Sequence, residues 1–205
     1  NQGINIYYKV VGEGPPIVLL HGVFGSCEDW IEFGYVARLG RKYKLILIDL
    51  RGHGQSDKPY DPNSYYIDKY VQDVVAVLDE LGIGLCHVLG FSFGGWIVYR
   101  FLRKYPERIQ SMILLDGVPG PDDSKVIRDY VNNIETLTSQ LALTPNNRAR
   151  FLNNDKIALL SLSSGIADDI PRIIDDINNL SQIINRASLI LTSDFNGVEM
   201  ILLRK

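Results

Sequence analysis

Short apolar runs rich in β-branched residues alternate with longer segments of helical period along this chain, and this alternation limits the fold more than any other feature of the sequence. Such alternation is typical of repeated strand–helix–strand units on a parallel sheet. Most of the runs are almost wholly apolar, as strands buried on both faces should be. The sequence therefore predicts the α/β class, with a mostly parallel sheet and helices on both faces. The predicted strands span residues 4–11, 17–20, 45–50, 85–91, 112–115 and 188–191.

The first of these strands, residues 4–11, differs from the others because its apolar and polar residues alternate. It lies between two glycine-containing segments, Asn1-Gln2-Gly3 and Gly12-Glu13-Gly14. This pattern predicts an outer strand of a hairpin. Its partner would precede Asn1, so we expect the sequence to begin inside a longer chain.

Two segments have a clear helical period. Apolar side chains of residues 67–81 form one stripe, while acidic and amide side chains occupy the other face. A second helix is predicted over residues 92–105, because Pro106 lies just beyond its last residue.

Residues 119–186 have a different pattern, with amphipathic segments rich in Asn and Asp, such as 126–143, and without strand-like runs. We expect this region to be a helical insertion. The predicted organisation is a core formed by residues 1–118, a helical cap over 119–186 and a return to the core sheet over 187–205.

The charge balance argues against nucleic acid and anionic membranes as partners. The 205 residues include 21 Lys plus Arg and 24 Asp plus Glu, a formal net charge of -3, whereas such partners are held mainly by clustered basic residues. No apolar run approaches the ~20 residues that span a bilayer. Cys27 and Cys86 are too few and too far apart for a disulfide framework or a metal site. We therefore expect a cytoplasmic protein without a metal ion.

The segment Gly90-Phe91-Ser92-Phe93-Gly94 follows an apolar strand and opens a helical segment. A G-x-S-x-G sequence in this strand–turn–helix context predicts a tight turn that presents a serine nucleophile. Ser92 must then adopt a strained backbone, and Gly90 and Gly94 must be small because a side chain there would collide with neighbouring backbone.

A serine nucleophile needs hydrogen-bond donors for the oxyanion of the tetrahedral intermediate, each worth ~3 kcal/mol of barrier. The backbone N–H of Phe93 is one candidate, since it opens the helix after Ser92. The second is the N–H of Val23, in the glycine-rich segment His21-Gly22-Val23-Phe24-Gly25 that follows the strand 17–20. We therefore predict an oxyanion hole formed by Val23 and Phe93.

Three segments together resemble the α/β-hydrolase fold superfamily of esterases, lipases and peptidases: residues 21–25, 49–57 and 90–95. The middle segment resembles the D-x-R-G-x-G-x-S loop of that superfamily, and the resemblance covers about the first 118 residues. It implies an α/β-hydrolase fold with a cap, and a hydrolase without a cofactor that forms an acyl-enzyme on Ser92 with a small-molecule ester. Peptidases, lactonases and cofactor-free haloperoxidases share these motifs, whereas epoxide and haloalkane members carry Asp at the position of Ser92.

In this fold the nucleophile is followed along the chain by an acid and then by a His that acts as general base. The resemblance places the acid after the strand that follows the cap, where Asp194 is the predicted residue. Asn196 falls where the superfamily's acid would be expected, and Asp116 at the end of an earlier strand is a further alternative. Residues 198–203 are predicted to form the helix after this turn.

All three histidines, His21, His53 and His87, precede Ser92. Each has a structural role available, in the turn after residue 20, the loop after Asp49 and the strand before the elbow. One hypothesis is that the sequence is a fragment whose base lies beyond Lys205. Two others are a non-catalytic member of the fold that binds a small molecule, and a protein whose last strand and His are supplied by a second chain.

Overall fold

A computed structural model describes residues 3–115, 119, 122–140, 144–179, 188–192 and 200–204. The described strands form one sheet with the order β1-β3-β2-β4-β5-β7-β6. The strands are β1 (Tyr8–Val11), β2 (Pro16–Leu20), β3 (Lys44–Ile48), β4 (Cys86–Phe91), β5 (Ile109–Leu115), β6 (Ser188–Thr192) and β7 (Met200–Arg204).

The centre of the sheet is parallel: β2 pairs with β3 and β4, and β4 pairs with β5, all in parallel register. β1 is antiparallel to β3, and β7 is antiparallel to both β5 and β6. The helices are α1 (Cys27–Glu32), α2 (Tyr35–Leu39), α3 (Ile67–Glu80), α4 (Phe93–Lys104), α5 (Asp123–Asn132), α6 (Ile134–Gln140), α7 (Pro145–Leu152), α8 (Lys156–Gly165) and α9 (Ile170–Asn178).

Helices cover both faces of the sheet. Successive residues of each central strand point to opposite faces, and each set of apolar side chains is buried by different helices. In β2, Val18 and Leu20 pack in a cluster that includes residues of α3 and α4. Ile17 and Leu19 pack instead with Cys27 and Trp30 of α1, and with partly buried residues of α2. These findings confirm the α/β class and the mostly parallel sheet predicted from the sequence. Helices α1 and α2 are additional to the elements predicted from the sequence.

The region between β5 and β6 contains α5 to α9 within its described residues. The segment 126–143, which we read as one amphipathic pattern, is divided between α5 and α6 at Asn133, and residues 141–143 lie outside the described part. This region contacts the core directly: Asp169 Oδ2 accepts the backbone N–H of Ile67, the first residue of α3, at 2.6 Å. The domain boundaries at 118/119 and 186/187 stay a prediction.

The predicted helix over residues 198–203 is wrong, since Met200–Arg204 forms strand β7. Its register aligns Leu115 of β5 with Met200, and Thr192 of β6 with the same residue. Consecutive apolar residues carry neither a helical nor a strand period, so the pattern alone does not decide between the two structures. The edge of β5 favours a strand, because its backbone N–H and C=O groups can form hydrogen bonds with those of residues 200–204.

The first strand is shorter than predicted and begins at Tyr8, but it lies at the edge of the described sheet, as an outer strand should. Its predicted hairpin partner precedes Asn1 and is outside the described residues. In the described part of the chain, no helix combines the length and the apolar character needed to cross a bilayer.

Candidate active site

The tight turn at Ser92 has the strained backbone predicted from the sequence. Ser92 has φ 50° and ψ −117° and joins β4 directly to α4. Its backbone N–H donates to Leu115 O at 2.8 Å, and its carbonyl accepts the N–H of Gly95 at 2.8 Å. A non-glycine residue in this region costs ~1–3 kcal/mol and persists only where surrounding structure enforces it. Here the enforcing contacts come from β5 on one side and from the first turn of α4 on the other.

Glycine is required at two positions beside Ser92. A Cβ on Gly90 would lie 2.6 Å from Gly94 O, and a Cβ on Gly94 would lie 2.2 Å from Leu20 O. Both contacts are with backbone, which cannot rotate away as a side chain would. The close approach of α4 to β4 therefore depends on Gly90, and its close approach to the end of β2 depends on Gly94.

The turn after β2 lies against Ser92. Gly25 N–H donates to Gly22 O at 3.1 Å and closes the turn, and a Cβ on Gly22 would be only 3.2 Å from Ser92 Cβ. Within the described residues, neither Val23 nor Phe93 uses its backbone N–H in the turn and loop hydrogen bonds or in the strand pairs.

Ser92, Val23 and Phe93 line one cavity of about 280 Å³. The remaining wall is mostly apolar and largely aromatic, with one carboxylate. It includes Phe24, Trp96, Asp123, Val126, Ile127, Tyr130 and Phe151. A larger cavity of about 450 Å³ lies among α5, α6 and the start of α8, and Ser92 is not among its lining residues. We therefore take the smaller cavity as the candidate active site.

Asp123, the first residue of α5, contributes a carboxylate to this cavity, and the sequence analysis did not single it out. The predicted acid Asp194 and its alternatives Asn196 and Asp116 all lie outside the described residues. Their assignment stays a prediction.

His21 is fully used by the scaffold. Its Nδ1 lies 2.7 Å from Gly22 O, and its Nε2 accepts the backbone N–H of Leu50 at 3.0 Å. These partners fix the neutral tautomer with the proton on Nδ1, because Nε2 must accept. Burial lowers the pKa of His21, which also favours the neutral ring.

His53 packs edge-on against His21, with ring centroids 5.2 Å apart. Its Nδ1 lies 3.1 Å from Arg51 O, while its Nε2 is buried without a hydrogen-bond partner among the described residues. Burial, together with the neighbouring His21, lowers the pKa of His53 to about 3. Both buried rings are therefore neutral at physiological pH.

His87 lies near the start of β4, where its Nδ1 is 2.7 Å from Ser111 Oγ. It lies five positions before Ser92, a distance of ~16 Å at the rise of a β-strand. Its side chain is too short to reach the Ser92 hydroxyl. All three histidines thus have the structural roles expected from the sequence.

The loop after β3 supports the site through a carboxylate that sequence reasoning missed. Asp49 Oδ1 accepts the N–H of Cys27 at 2.6 Å, and Oδ2 accepts that of Gln55 at 2.8 Å. The first contact fixes the start of α1, directly after the glycine-rich turn. The D-x-R-G-x-G-x-S spacing reflects this role. A Cβ on Gly54, the second glycine of the motif, would lie 2.1 Å from Asp49 Oδ2 and would collide with the carboxylate.

Arg51 of the same loop is buried and paired with Asp73 of α3 through two hydrogen bonds, of 2.6 and 2.7 Å. A third bond, from Nη1 to Ser64 O at 2.7 Å, ties it to the segment before α3. In the described part of the chain, no group of three or more His, Cys, Asp or Glu side chains is arranged to hold a metal ion. Cys27 and Cys86 are both buried free thiols.

Comparison with known proteins identifies relatives of one fold. The sequence profile of the alpha/beta hydrolase fold family matches residues 15–165. A protein of Bacillus subtilis (strain 168) with the provisional name 2-succinyl-6-hydroxy-2,4-cyclohexadiene-1-carboxylate synthase is 29% identical, over 78% of this chain and 69% of its own length. Epoxide hydrolase 4 of Mus musculus is 33% identical over 64% of this chain, and epoxide hydrolase 3 of Siraitia grosvenorii is 37% identical over 56%.

The chain spans only 35% and 36% of the length of these two epoxide hydrolases. Among solved structures, an esterase from Exiguobacterium antarcticum superposes with a TM-score of 0.69 at 20% identity, covering 82% of this chain and 71% of the esterase. The enol-lactonase from Burkholderia xenovorans LB400 superposes with a TM-score of 0.68 at 22% identity, covering 80% and 71%. At such identities the superpositions establish the fold alone.

Proposed function

This chain belongs to the alpha/beta hydrolase fold family, and on that premise we propose that it is a serine hydrolase that cleaves carboxylic esters through an acyl-enzyme on Ser92. The family includes relatives named for several reactions, so membership alone does not select the ester reaction. The proposal depends on the geometry around Ser92.

The observation that carries the proposal is the position of Ser92 in the wall of a cavity that Val23 and Phe93 also line. The Ser92 hydroxyl would attack the ester carbonyl from this wall, and the carbonyl oxygen would gain negative charge as the tetrahedral intermediate forms. The N–H groups of Val23 and Phe93 would donate to that oxygen. Donors fixed before the reaction lower the barrier because they need no reorganisation. Expulsion of the alcohol leaves the acyl group on Ser92, and water then releases it as the acid.

A base must take the proton from the Ser92 hydroxyl and return it to the leaving alcohol. We do not assign this role to the three histidines. Both ring nitrogens of His21 are used by the scaffold, and His87 lies ~16 Å from Ser92 along β4. His53 is buried, with its Nδ1 against Arg51 O, and burial lowers its pKa to about 3. Asp194 remains the proposed acid that would orient the base.

The proposed substrates are small or medium esters with an uncharged acyl group. A wall containing Trp96, Phe24 and Phe151 favours apolar groups, because each aromatic ring buries a large apolar area. Among the described lining residues, Asp123 is the one charged side chain. The volume of about 280 Å³ limits the size of what fits.

Epoxide hydrolysis, which two relatives are named for, is the less favoured reaction. The resemblance noted above implies Asp at the elbow of such enzymes, whereas this chain has Ser92 there. We also propose the cytoplasm as the compartment, because Cys27 and Cys86 are both free thiols, and a small-molecule ester as the partner, without nucleic acid or membrane.

The test is Ser92→Ala in the protein expressed from its complete reading frame, assayed with nitrophenyl butyrate. We expect kcat/KM to fall by at least ~1000-fold, because removal of a nucleophile leaves only the contribution of the remaining site. Ser164→Ala is the matched control, since its hydroxyl bonds to Leu160 O within α8.

A fluorophosphonate probe supplies a second readout, and we expect it to label Ser92. Turnover that survives Ser92→Ala would remove Ser92 from the mechanism. A protein that neither hydrolyses the ester nor takes up the probe would instead favour the non-catalytic binder.

A further inference from the structure

The residue after Val23 has a backbone conformation that its side chain disfavours. Phe24 has φ 69°, in the left-handed region. It is the third residue of the turn closed by Gly25 N–H and Gly22 O, a position at which turns of this kind usually have Gly or Asn. A bulky side chain in that region is an outlier that needs an external reason. Other contacts must therefore hold Phe24 in place.

Those contacts come from the last turn of α7 and from Asn154 just after it, far away in the sequence. Asn154 Nδ2 donates to Phe24 O at 3.0 Å. The ring of Phe24 stacks on that of Phe151, with centroids 5.6 Å apart and an interplanar angle of 27°. One contact fixes the Phe24 carbonyl and the other fixes its ring, so both sides of the strained residue are held.

The Asn154 carboxamide is itself fixed on the helix. The same Nδ2 lies 3.1 Å from Arg150 O and 3.3 Å from Phe151 O, the carbonyls that α7 leaves without intrahelical partners. Arg150 in turn binds Asp29 and Glu32 of α1 at 2.8 and 2.9 Å. The segment at the end of α7 is therefore bonded both to the turn that contains Phe24 and to α1, the helix after that turn.

We propose that Asn154 is a positioning residue for the reaction at Ser92: its carboxamide holds Phe24 in the left-handed conformation and thereby sets the direction of the Val23 N–H. Val23 and Phe24 are the two central residues of one four-residue turn, so relaxation of Phe24 to negative φ redirects the whole turn. This inference rests on the proposed function, because it assigns the Val23 N–H to the oxyanion.

The first experiment compares Asn154→Asp with Asn179→Asp in the protein expressed from its complete reading frame. Each change keeps the shape of the side chain and removes its N–H donors. Asn179 is a matched control, because its Nδ2 donates to Asp175 O at 2.8 Å at the end of α9. We expect Asn154→Asp to lower kcat for nitrophenyl butyrate ~10- to 100-fold with KM within about twofold, while Asn179→Asp leaves kcat unchanged. An equal loss of kcat in both variants would overturn the proposal.

The second experiment repeats Asn154→Asp in a Phe24→Gly background. Glycine adopts φ 69° without steric cost, so the turn no longer needs the carboxamide. In this background we expect Asn154→Asp to lower kcat by less than about threefold. Such non-additivity is expected when two residues act through one element. A loss of kcat as large as the one measured with Phe24 present would show that Asn154 does not act through the conformation of Phe24, and would overturn the proposal.

A crystal structure of Asn154→Asp tests the geometry without reference to activity. Phe24 at negative φ supports the proposal, and Phe24 retained near 69° overturns it. Because Ser92→Ala is measured in parallel, a failure of the acyl-enzyme mechanism is distinguished from a failure of Asn154 to position the turn.

Discussion

Gly94→Ala should reduce both stability and the proposed activity, because Gly94 is where the helix after Ser92 touches the end of β2. A Cβ at this position would lie 2.2 Å from Leu20 O and 2.8 Å from His21 O, whereas ordinary contacts begin at 3.4 Å. Relief of the shorter contact requires a displacement of about 1 Å between α4 and the glycine-rich turn. Both groups are backbone, so the displacement moves Ser92 relative to Val23.

Two effects on stability oppose each other in this variant. Alanine is favoured over glycine within a helix by ~1 kcal/mol. Overpacking against structure that cannot rotate away costs ~1–3 kcal/mol, and occasionally more. Since the contact at Gly94 is with main-chain carbonyls, we expect the upper end of that range and a net loss of ~2 kcal/mol in the free energy of unfolding. A misplacement of ~1 Å between reacting groups lowers kcat/KM by ~100-fold.

The assay combines urea unfolding with nitrophenyl ester kinetics on the protein expressed from its complete reading frame. Gly84→Ala is the control, because a Cβ there meets nothing within 4 Å. We expect the control to change the free energy of unfolding by less than ~0.5 kcal/mol. A Gly94→Ala variant that matches the control in both stability and kcat/KM would show that the contact with Leu20 O does not position Ser92.

Two further predictions concern buried charge. Because the pKa of His53 is about 3 in the fold and 6.5 unperturbed, only the unfolded chain gains a proton between these values, so stability falls as pH falls. Between pH 7 and pH 5, the free energy of unfolding measured by urea titration should fall by ~2 kcal/mol more in the unmodified protein than in His53→Gln, which lacks this titrating group. Equal falls in the two proteins would contradict this. Asp73→Asn leaves the buried Arg51 guanidinium without its counter-charge and should cost ~3–5 kcal/mol by the same measurement. Asp79→Asn, at an exposed pair with Arg108, should cost less than ~1 kcal/mol; equal costs would refute the distinction.

The features predictable from the sequence are those set by neighbouring residues. The turn at Ser92 depends on glycines two residues away on each side, so its strained backbone could be predicted from the five-residue segment 90–94. The parallel strands were readable because burial on both faces leaves them almost wholly apolar. The predicted strand 45–50 extends two residues beyond β3, which ends at Ile48 where Asp49 interrupts the apolar run.

The features that the sequence did not reveal depend on contacts between distant residues. Asn154 reaches Phe24 across 130 positions, and nothing near either residue in the sequence signals the other. The spacing of the loop after β3 signals that Asp49 is needed, but not that its carboxylate accepts the N–H of Cys27 at the start of α1. Residues 200–203 were misassigned because an apolar run of that length fits a strand and a helix equally, and only the neighbouring edge of β5 distinguishes them.

The order of the strands gives a reason for the location of the cavity that does not depend on the elbow motif. β2 lies between β3 and β4, so the chain leaves β2 in one direction along the sheet and later returns on the other side. The helices that follow also separate: α1 packs on one face with Cys27 and Trp30, whereas α4 packs on the opposite face with Trp96 and Phe101. The loops after β2 and β4 therefore diverge and leave a crevice at the carboxyl ends of these strands, where open α/β sheets bind their ligands. The register that aligns Leu20 with Gly90 brings both loops to the same level. Because sheet order and glycine spacing are independent features, their agreement on one crevice strengthens the choice of this cavity over the larger one.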